Sequence, residues 1–299
     1  MGNVWLHRFS VLVCAATFLL VVAGGLVTSN EAGLSVPDWP LSYGRLIPPL
    51  EGNIVYEFAH RATAATVGFL TIALAIWITL RDARAWMRLV AWAAVATVVL
   101  QAVLGGLAVK LLVPKSISIV HAMTADVFFM LTVAMACCLS PDWRGNAASV
   151  DDDSRPSLGV TTVAATGVLL AQSVLGATVR HGVMTVLPHI IGAVFATAAV
   201  MWAGLRILMR HMEHAVLRRS AMWALSFTFS QVFLGLGAYM SRIATADAPQ
   251  PMPLAVGFTV AHVAAGALAL GSSLAMTIEV FRHVRRPVTA VAQGGVAVA

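Results

Sequence analysis

Eight stretches of the chain are nearly free of charge and long enough to cross a bilayer, near residues 9–29, 58–80, 88–109, 117–139, 159–179, 187–209, 220–241 and 256–280. Spanning about 30 Å of hydrocarbon takes roughly 20 apolar residues in a helix. The runs show no alternation of apolar and polar positions. Lipid offers no partner to an unpaired backbone amide, so helices rather than a β-barrel are required. The first run follows His7 and Arg8, lacks a clear small-x-small cleavage site, and reads as a true first helix rather than a signal peptide. The pattern predicts an all-α membrane protein with eight transmembrane helices.

Between the fourth and fifth runs lies the most polar stretch, Pro141 to Ser157, with Asp151-Asp152-Asp153 and Pro156. It divides the chain into two tandem four-helix bundles. The expected units are an N-terminal half over 1–143, a linker over 144–157, a C-terminal half over 158–285 and a tail over 286–299. Repetition supports that cut. Gln101-Ala-Val-Leu-Gly-Gly, Gln172-Ser-Val-Leu-Gly-Ala and Gln231-Val-Phe-Leu-Gly-Leu recur near the ends of the third, fifth and seventh runs, and Gly24-Gly25-Leu-Val-Thr echoes them in the first. Small residues there allow close approach between helices, or between a helix and a flat ligand.

Composition agrees: 59% of residues are hydrophobic and 11% charged, and the mean hydropathy is +0.85, far from a soluble domain with about 25% charge. The basic residues then set an orientation. With the N-terminus inside, the cytoplasmic segments hold Arg8, Arg81, Arg84, Arg88, Arg144, Arg155, Arg206, Arg210, Arg218, Arg219, Arg282, Arg285 and Arg286, which is 13 of the 19 Lys and Arg residues. The outer segments hold Arg45, Lys110, Lys115, Arg180 and Arg242, and Arg61 lies inside a helix. Both termini are expected to be cytoplasmic, in the cell (inner or plasma) membrane. Topology thus accounts for the pI of about 9.9, and no nucleic-acid partner is expected. The cysteines, Cys14, Cys137 and Cys138, all fall outside the outer loops, so no disulfide is expected on the oxidising side.

Five histidines (His7, His181, His211, His214, His283) fall in loops or at helix ends, and four (His60, His121, His189, His262) fall inside the runs. Each of these four lies within about two turns of the start of an even-numbered helix, so all share one depth near the outer surface. Ionisable groups in a membrane mark functional sites by default. Neutral imidazole ligates iron through one nitrogen while the other is hydrogen-bonded, so two facing histidines can hold a haem from both sides. The repeat pairs His60 with His121 and His189 with His262. Proton relay and plain packing remain the alternatives. A zinc or copper ion would want its ligands converging on one point, usually with Cys or carboxylate help.

The symmetry breaks at Glu57-Phe-Ala-His60-Arg61: the matching positions hold Ser118 and Ala122, Val186 and Ile190, and Thr259 and Val263. Glu57, three residues before His60 on the same helical face, can accept a proton or stabilise a developing cation. Its other role is to favour the helix N-terminus and pair with Arg61. Arg61 could equally neutralise a haem propionate. Asp126 points about 140° away from His121 at 100° per residue and reads as a packing or inter-helix hydrogen-bond residue.

These residues carry a resemblance. The chain resembles the haem A synthase family through Gly24-Gly25-Leu-Val-Thr-Ser, Pro37-Asp38-Trp39-Pro40-Leu41, Glu57-Phe-Ala-His60-Arg61 and the histidines opening the fourth, sixth and eighth helices. The resemblance implies oxidation of the C8 methyl of haem O to a formyl group, giving haem A for terminal oxidases, with molecular oxygen as co-substrate. It implies that His60 and His121 face the substrate haem with Glu57 as the catalytic carboxylate. His189 and His262 would hold a haem b that passes electrons. The partners expected are haem O and haem A, haem O synthase, an electron donor and membrane lipid, with a homo-oligomer left open. One departure stands out: where many members carry a cysteine pair in the first outer loop, this chain has Ser35 and Ser42, which cannot exchange electrons as thiols do. Two other readings remain: a non-catalytic di-haem cytochrome b, and a transporter, the latter disfavoured because the odd helices hold no Gly/Pro-broken pair at mid-membrane.

Overall fold

The computed structural model describes residues 3–145 and 149–285. Those residues form eight long helices: α1 Val4–Ser29, α2 Ile54–Arg81, α3 Ala85–Lys110, α4 Lys115–Cys138, α5 Leu158–Arg180, α6 Val186–Arg210, α7 Ala215–Ala244 and α8 Pro253–His283. All eight are long and apolar enough to cross a membrane, and the chain is a multi-pass membrane protein. Hydroxyls buried along the helices turn back to their own helix, as Thr17 to the Val13 carbonyl (2.8 Å) and Thr71 to the Val67 carbonyl (2.7 Å), which satisfies them where water is absent. Large apolar side chains point outward without penalty, among them Phe69, Leu80, Phe195 and Met209, because their solvent is lipid.

Within the first four helices, α1 packs on α2 and α4, and α3 on α2 and α4; α5 to α8 repeat the arrangement, and α8 and α5 then pack against the first set through α1 and α4. One apolar core joins Leu6, Val13, Leu74, Ile78, Met87 and Phe128, and a second joins Leu158, Val200, Ile207, Leu217 and Met276. The seam between them is a smaller cluster of Phe129, Val133 and Ala267. Gly271 permits that seam, since a Cβ there would stand 2.9 Å from Phe129 Cε1.

The polar stretch after α4 is docked on the bundle end along its described part. A two-residue strand β1 (Val150–Asp151) pairs in parallel with β2 (Val284–Arg285) beyond α8. Asp152 is buried; its carboxylate accepts from the Leu158 N–H at 2.6 Å, and its own N–H donates to the Arg285 carbonyl at 2.9 Å. Arg206 donates to the Ser154 hydroxyl and to the Pro156 carbonyl. Residues 146–148 of the expected linker and the expected tail 286–299, with Arg286, lie outside the described residues.

Candidate functional site

Four imidazoles open the even-numbered helices, and each meets a glycine on an odd-numbered one. A Cβ added at Gly24 would stand 3.2 Å from His60 Nε2, at Gly105 3.7 Å from His121 Cε1, at Gly176 3.1 Å from His189 Cε1, and at Gly235 2.9 Å from His262 Cε1. These are the glycines of the repeated segments, so the repeat exists at each histidine as a flat backbone surface against a ring.

In the second half the rings of His189 and His262 lie 6.2 Å apart, centroid to centroid, at an interplanar angle of 90°. Two imidazoles each bonded to one metal at about 2 Å have ring centroids about 6 Å apart, so the spacing of this pair is the one two histidines would need to hold a single iron. In the first half His121 lies within electrostatic range of His60. Nδ1 of His121 and of His262 is buried without a partner. Among the described residues no three His, Cys, Asp or Glu side chains converge as a metal cluster, so a pairwise haem arrangement suits the donor set better than a zinc or copper site.

Glu57 belongs to the first turn of α2, which starts at Ile54, earlier than the apolar run alone indicates. It is 4% exposed. One carboxylate oxygen accepts from Arg61 Nη2 at 2.5 Å and the other from the Val36 N–H at 2.8 Å. Arg61 reaches further, donating to the carbonyls of Asp38 (2.7 Å), Leu41 (3.1 Å) and Val36 (3.0 Å). The i,i+4 ion pair is therefore present, and its guanidinium is committed to the loop 30–53 rather than projecting freely. Asp38 adds to the same roof: its carboxylate accepts from the N–H groups of Tyr43 (2.6 Å) and Gly44 (2.7 Å). The Gly44 bond above all holds its carboxyl below the usual carboxylate range. The Tyr43 hydroxyl donates to the Ser35 carbonyl at 2.7 Å, and Ser42 is buried. Trp39 lies against Gly106, where a Cβ would meet its ring at 2.9 Å. Polar contacts thus shape the loop that holds Ser35 and Ser42.

Two sets of residues escaped the sequence reading. Arg180, at the end of α5, donates to the Gly25 carbonyl and the Ser29 hydroxyl, both at 2.9 Å, while its Nη1 is buried without a partner. It ties the second half to the repeated segment of α1. Nothing in a lone terminal arginine signalled that. The glutamines of the repeat were visible but given no role of their own; Gln101 donates to the His121 carbonyl at 2.9 Å and Gln172 to the His189 carbonyl at 2.8 Å. Asp126 reaches the Ser173 side chain across α4 and α5, in line with an inter-helix role.

Comparison with known proteins bears on these residues. A family model described as "Cytochrome oxidase assembly protein" matches residues 7–55 and 50–188, a span holding His60 and His121. The chain is 26% identical over 261 residues to the haem A synthase of Symbiobacterium thermophilum, covering 77% of this chain and 84% of that protein. It is 32% identical over 153 residues to that of Ruegeria pomeroyi, covering 46% of this chain and 37% of the relative. It is 38% identical over 74 residues to that of Exiguobacterium sibiricum, covering 24% and 25%.

Proposed function

The chain belongs to the haem A synthase family, and from that premise we propose that it oxidises the C8 methyl of haem O to a formyl group. It is an oxidoreductase of haem A biosynthesis, sited in bacteria in the plasma membrane. In this reading the N-terminal half over 1–143 takes the substrate haem between His60 and His121. The C-terminal half over 158–285 holds haem b between His189 and His262 and passes electrons, with 144–157 as the connection and 286–299 as a tail. Both termini face the cytoplasm, molecular oxygen is the co-substrate, and haem O synthase supplies the substrate.

The bound haem would supply the oxidative chemistry; the chain's residues orient and protect it. His60 and His121 offer imidazole nitrogens at one depth. Loop 30–53, drawn down by Arg61, excludes water from the outer end. Glu57, held by Val36 N–H and Arg61, puts a fixed negative charge one turn from His60, where it stabilises positive charge or takes a proton from a hydroxylated methyl. The observation that carries the reading is this buried carboxylate beside one histidine of four. A second reading, a di-haem electron-transfer cytochrome, draws support from both Glu57 oxygens already being engaged in the loop.

The two separate on Glu57→Gln, which keeps an acceptor for Val36 N–H while removing the charge. The protein is produced in bacteria supplied with haem O synthase, and its haems are extracted and identified by mass. Haem A or its hydroxymethyl precursor with the native protein, and loss of both with Glu57→Gln, is the expected outcome. Haem B alone in both proteins would instead establish the cytochrome.

A further inference from the structure

The tandem repeat aligns Gln101, Gln172 and Gln231 with one another, each four residues before the glycine that faces a histidine. Four residues before Gly24 the first helix carries Leu20. On a helix that spacing puts Leu20 on the same face as Gly24, one turn below.

What the glutamines do is visible at two of their histidines and implied at the third. Gln101 and Gln172 donate to the backbone carbonyls of His121 and His189, and the Gln172 amide also lies 2.9 Å from His189 Nδ1. Gln172 and Gln231 press into the next turn of the partner helix: a Cβ at Gly192 would meet Gln172 Oε1 at 2.2 Å, and one at Gly266 would meet Gln231 Nε2 at 2.3 Å. The Oε1 atoms of all three are buried without a partner, as is Nδ1 of His121 and His262. An imidazole that binds metal through one nitrogen needs an acceptor for the N–H on the other. Gln172 Nε2 is a donor, so with metal bound its amide would turn to present Oε1, the atom now without a partner, to His189 Nδ1, and such a partner fixes ring orientation and strengthens the ligand. His60 is different on both counts. It has leucine where the others have an amide, and it turns Nε2 rather than the Cε1 edge toward its glycine.

Resting on the haem reading above, we infer that Gln101, Gln172 and Gln231 are positioning residues that make His121, His189 and His262 permanent axial ligands, and that Leu20 leaves His60 as the one ligand free to come off. The first half thereby keeps one fixed and one releasable histidine, as a site that must admit a second reactant requires. The second half keeps both, as electron transfer requires.

Carbon monoxide reports this directly, because it binds ferrous haem only where an axial position opens. The purified protein is loaded to saturation with haem B, reduced with dithionite, and titrated with carbon monoxide while difference spectra are recorded. Native protein should bind it at the first-half haem alone. Leu20→Gln should cut that reactivity about 10-fold, the scale on which such supporting hydrogen bonds act, while Leu20→Met, a packing control, should leave it unchanged. Gln172→Leu and Gln231→Leu should open the second haem to carbon monoxide and alter its low-spin resonance signature. Unchanged reactivity in Leu20→Gln would overturn the inference, as would a silent second haem with an unaltered spectrum in the glutamine variants. The second arm decides if Leu20→Gln fails to fold. Failure of the native protein to take up any haem would overturn the haem reading and the inference together.

Discussion

The two halves build the same pair of histidines under different covers. Between α1 and α2 runs the loop 30–53, anchored on Glu57 and Arg61; its counterpart between α5 and α6 is only 181–185, and the matching residues are Val186 and Ile190. His189 and His262 meet ring to ring at 6.2 Å, with glycines tight against both. Around His60 the carboxylate, the guanidinium and the loop are all present, and the glutamine is not. A duplicated frame thus carries a short connection on one side and a roof and a charge on the other. That is the division expected between a site that stores electrons and one that does chemistry.

The sharpest test of this comparison is removal of a ligand from each half. His262→Ala should lose more of the second-half haem than His60→Ala loses of the first-half haem, since it removes one of two fixed ligands whereas His60 is, on the inference above, the releasable one. Haem per chain, measured as the pyridine adduct, distinguishes them; equal losses would erase the asymmetry.

Next in size is the roof. Arg61→Ala removes the cation from a carboxylate whose side chain is 5% exposed and frees three loop carbonyls. Breaking a buried pair this way costs about 3–5 kcal/mol, so the loop 30–53 should become cleavable by protease and detergent unfolding should come several degrees earlier. No matching effect is expected from Ile190→Ala in the other half.

The glycine surfaces give a smaller contrast. Gly235→Ala forces a methyl to 2.9 Å from His262, while Gly105→Ala leaves 3.7 Å to His121. Overpacking should cost the former about 1–3 kcal/mol and shift its haem resonance, and leave the latter near native. Similar spectra in both variants would mean that the close approach is not what sets ring orientation.

The smallest effect lies at the bundle end. Burial opposes the charge on Asp152, but the N–H groups of Leu158 and Ser154, the Ser154 hydroxyl and Arg206 more than offset it, and its carboxyl is held below the usual range. A depressed folded value stabilises the fold above the unfolded pKa near 4, and that contribution is lost as pH falls through the folded value. Asp152→Asn should therefore flatten the acid limb of a stability profile while leaving haem binding in both halves alone.

How much of this was legible in the chain follows from which forces act locally. The apolar runs gave all eight helices, and the histidine spacing placed one imidazole near the start of each even-numbered helix, because length in lipid and helical period are properties of contiguous residues. The Glu57–Arg61 pair was readable for the same reason. The start of α2 was placed late, at 58 rather than Ile54, since the polar first turn belongs to the loop network and not to the apolar run. The polar stretch after α4 read as a linker, yet Asp152 is buried beneath α5, its carboxylate bonded to an amide six residues on and its own N–H to the carbonyl of Arg285.

By itself, then, the sequence determined a membrane-spanning all-α chain, a repeated glycine-and-glutamine frame and four intramembrane histidines, one pair of which stands beside a carboxylate. Only the tertiary structure decided what Arg61 grips, that Arg180 of α5 closes on the Gly25 carbonyl of α1, and that Gln101 and Gln172 bond the backbone of His121 and His189. Those contacts join residues distant in the chain. Their free energy comes from pairing buried polar groups wherever the packed helices bring them together, and no local pattern records where that will be.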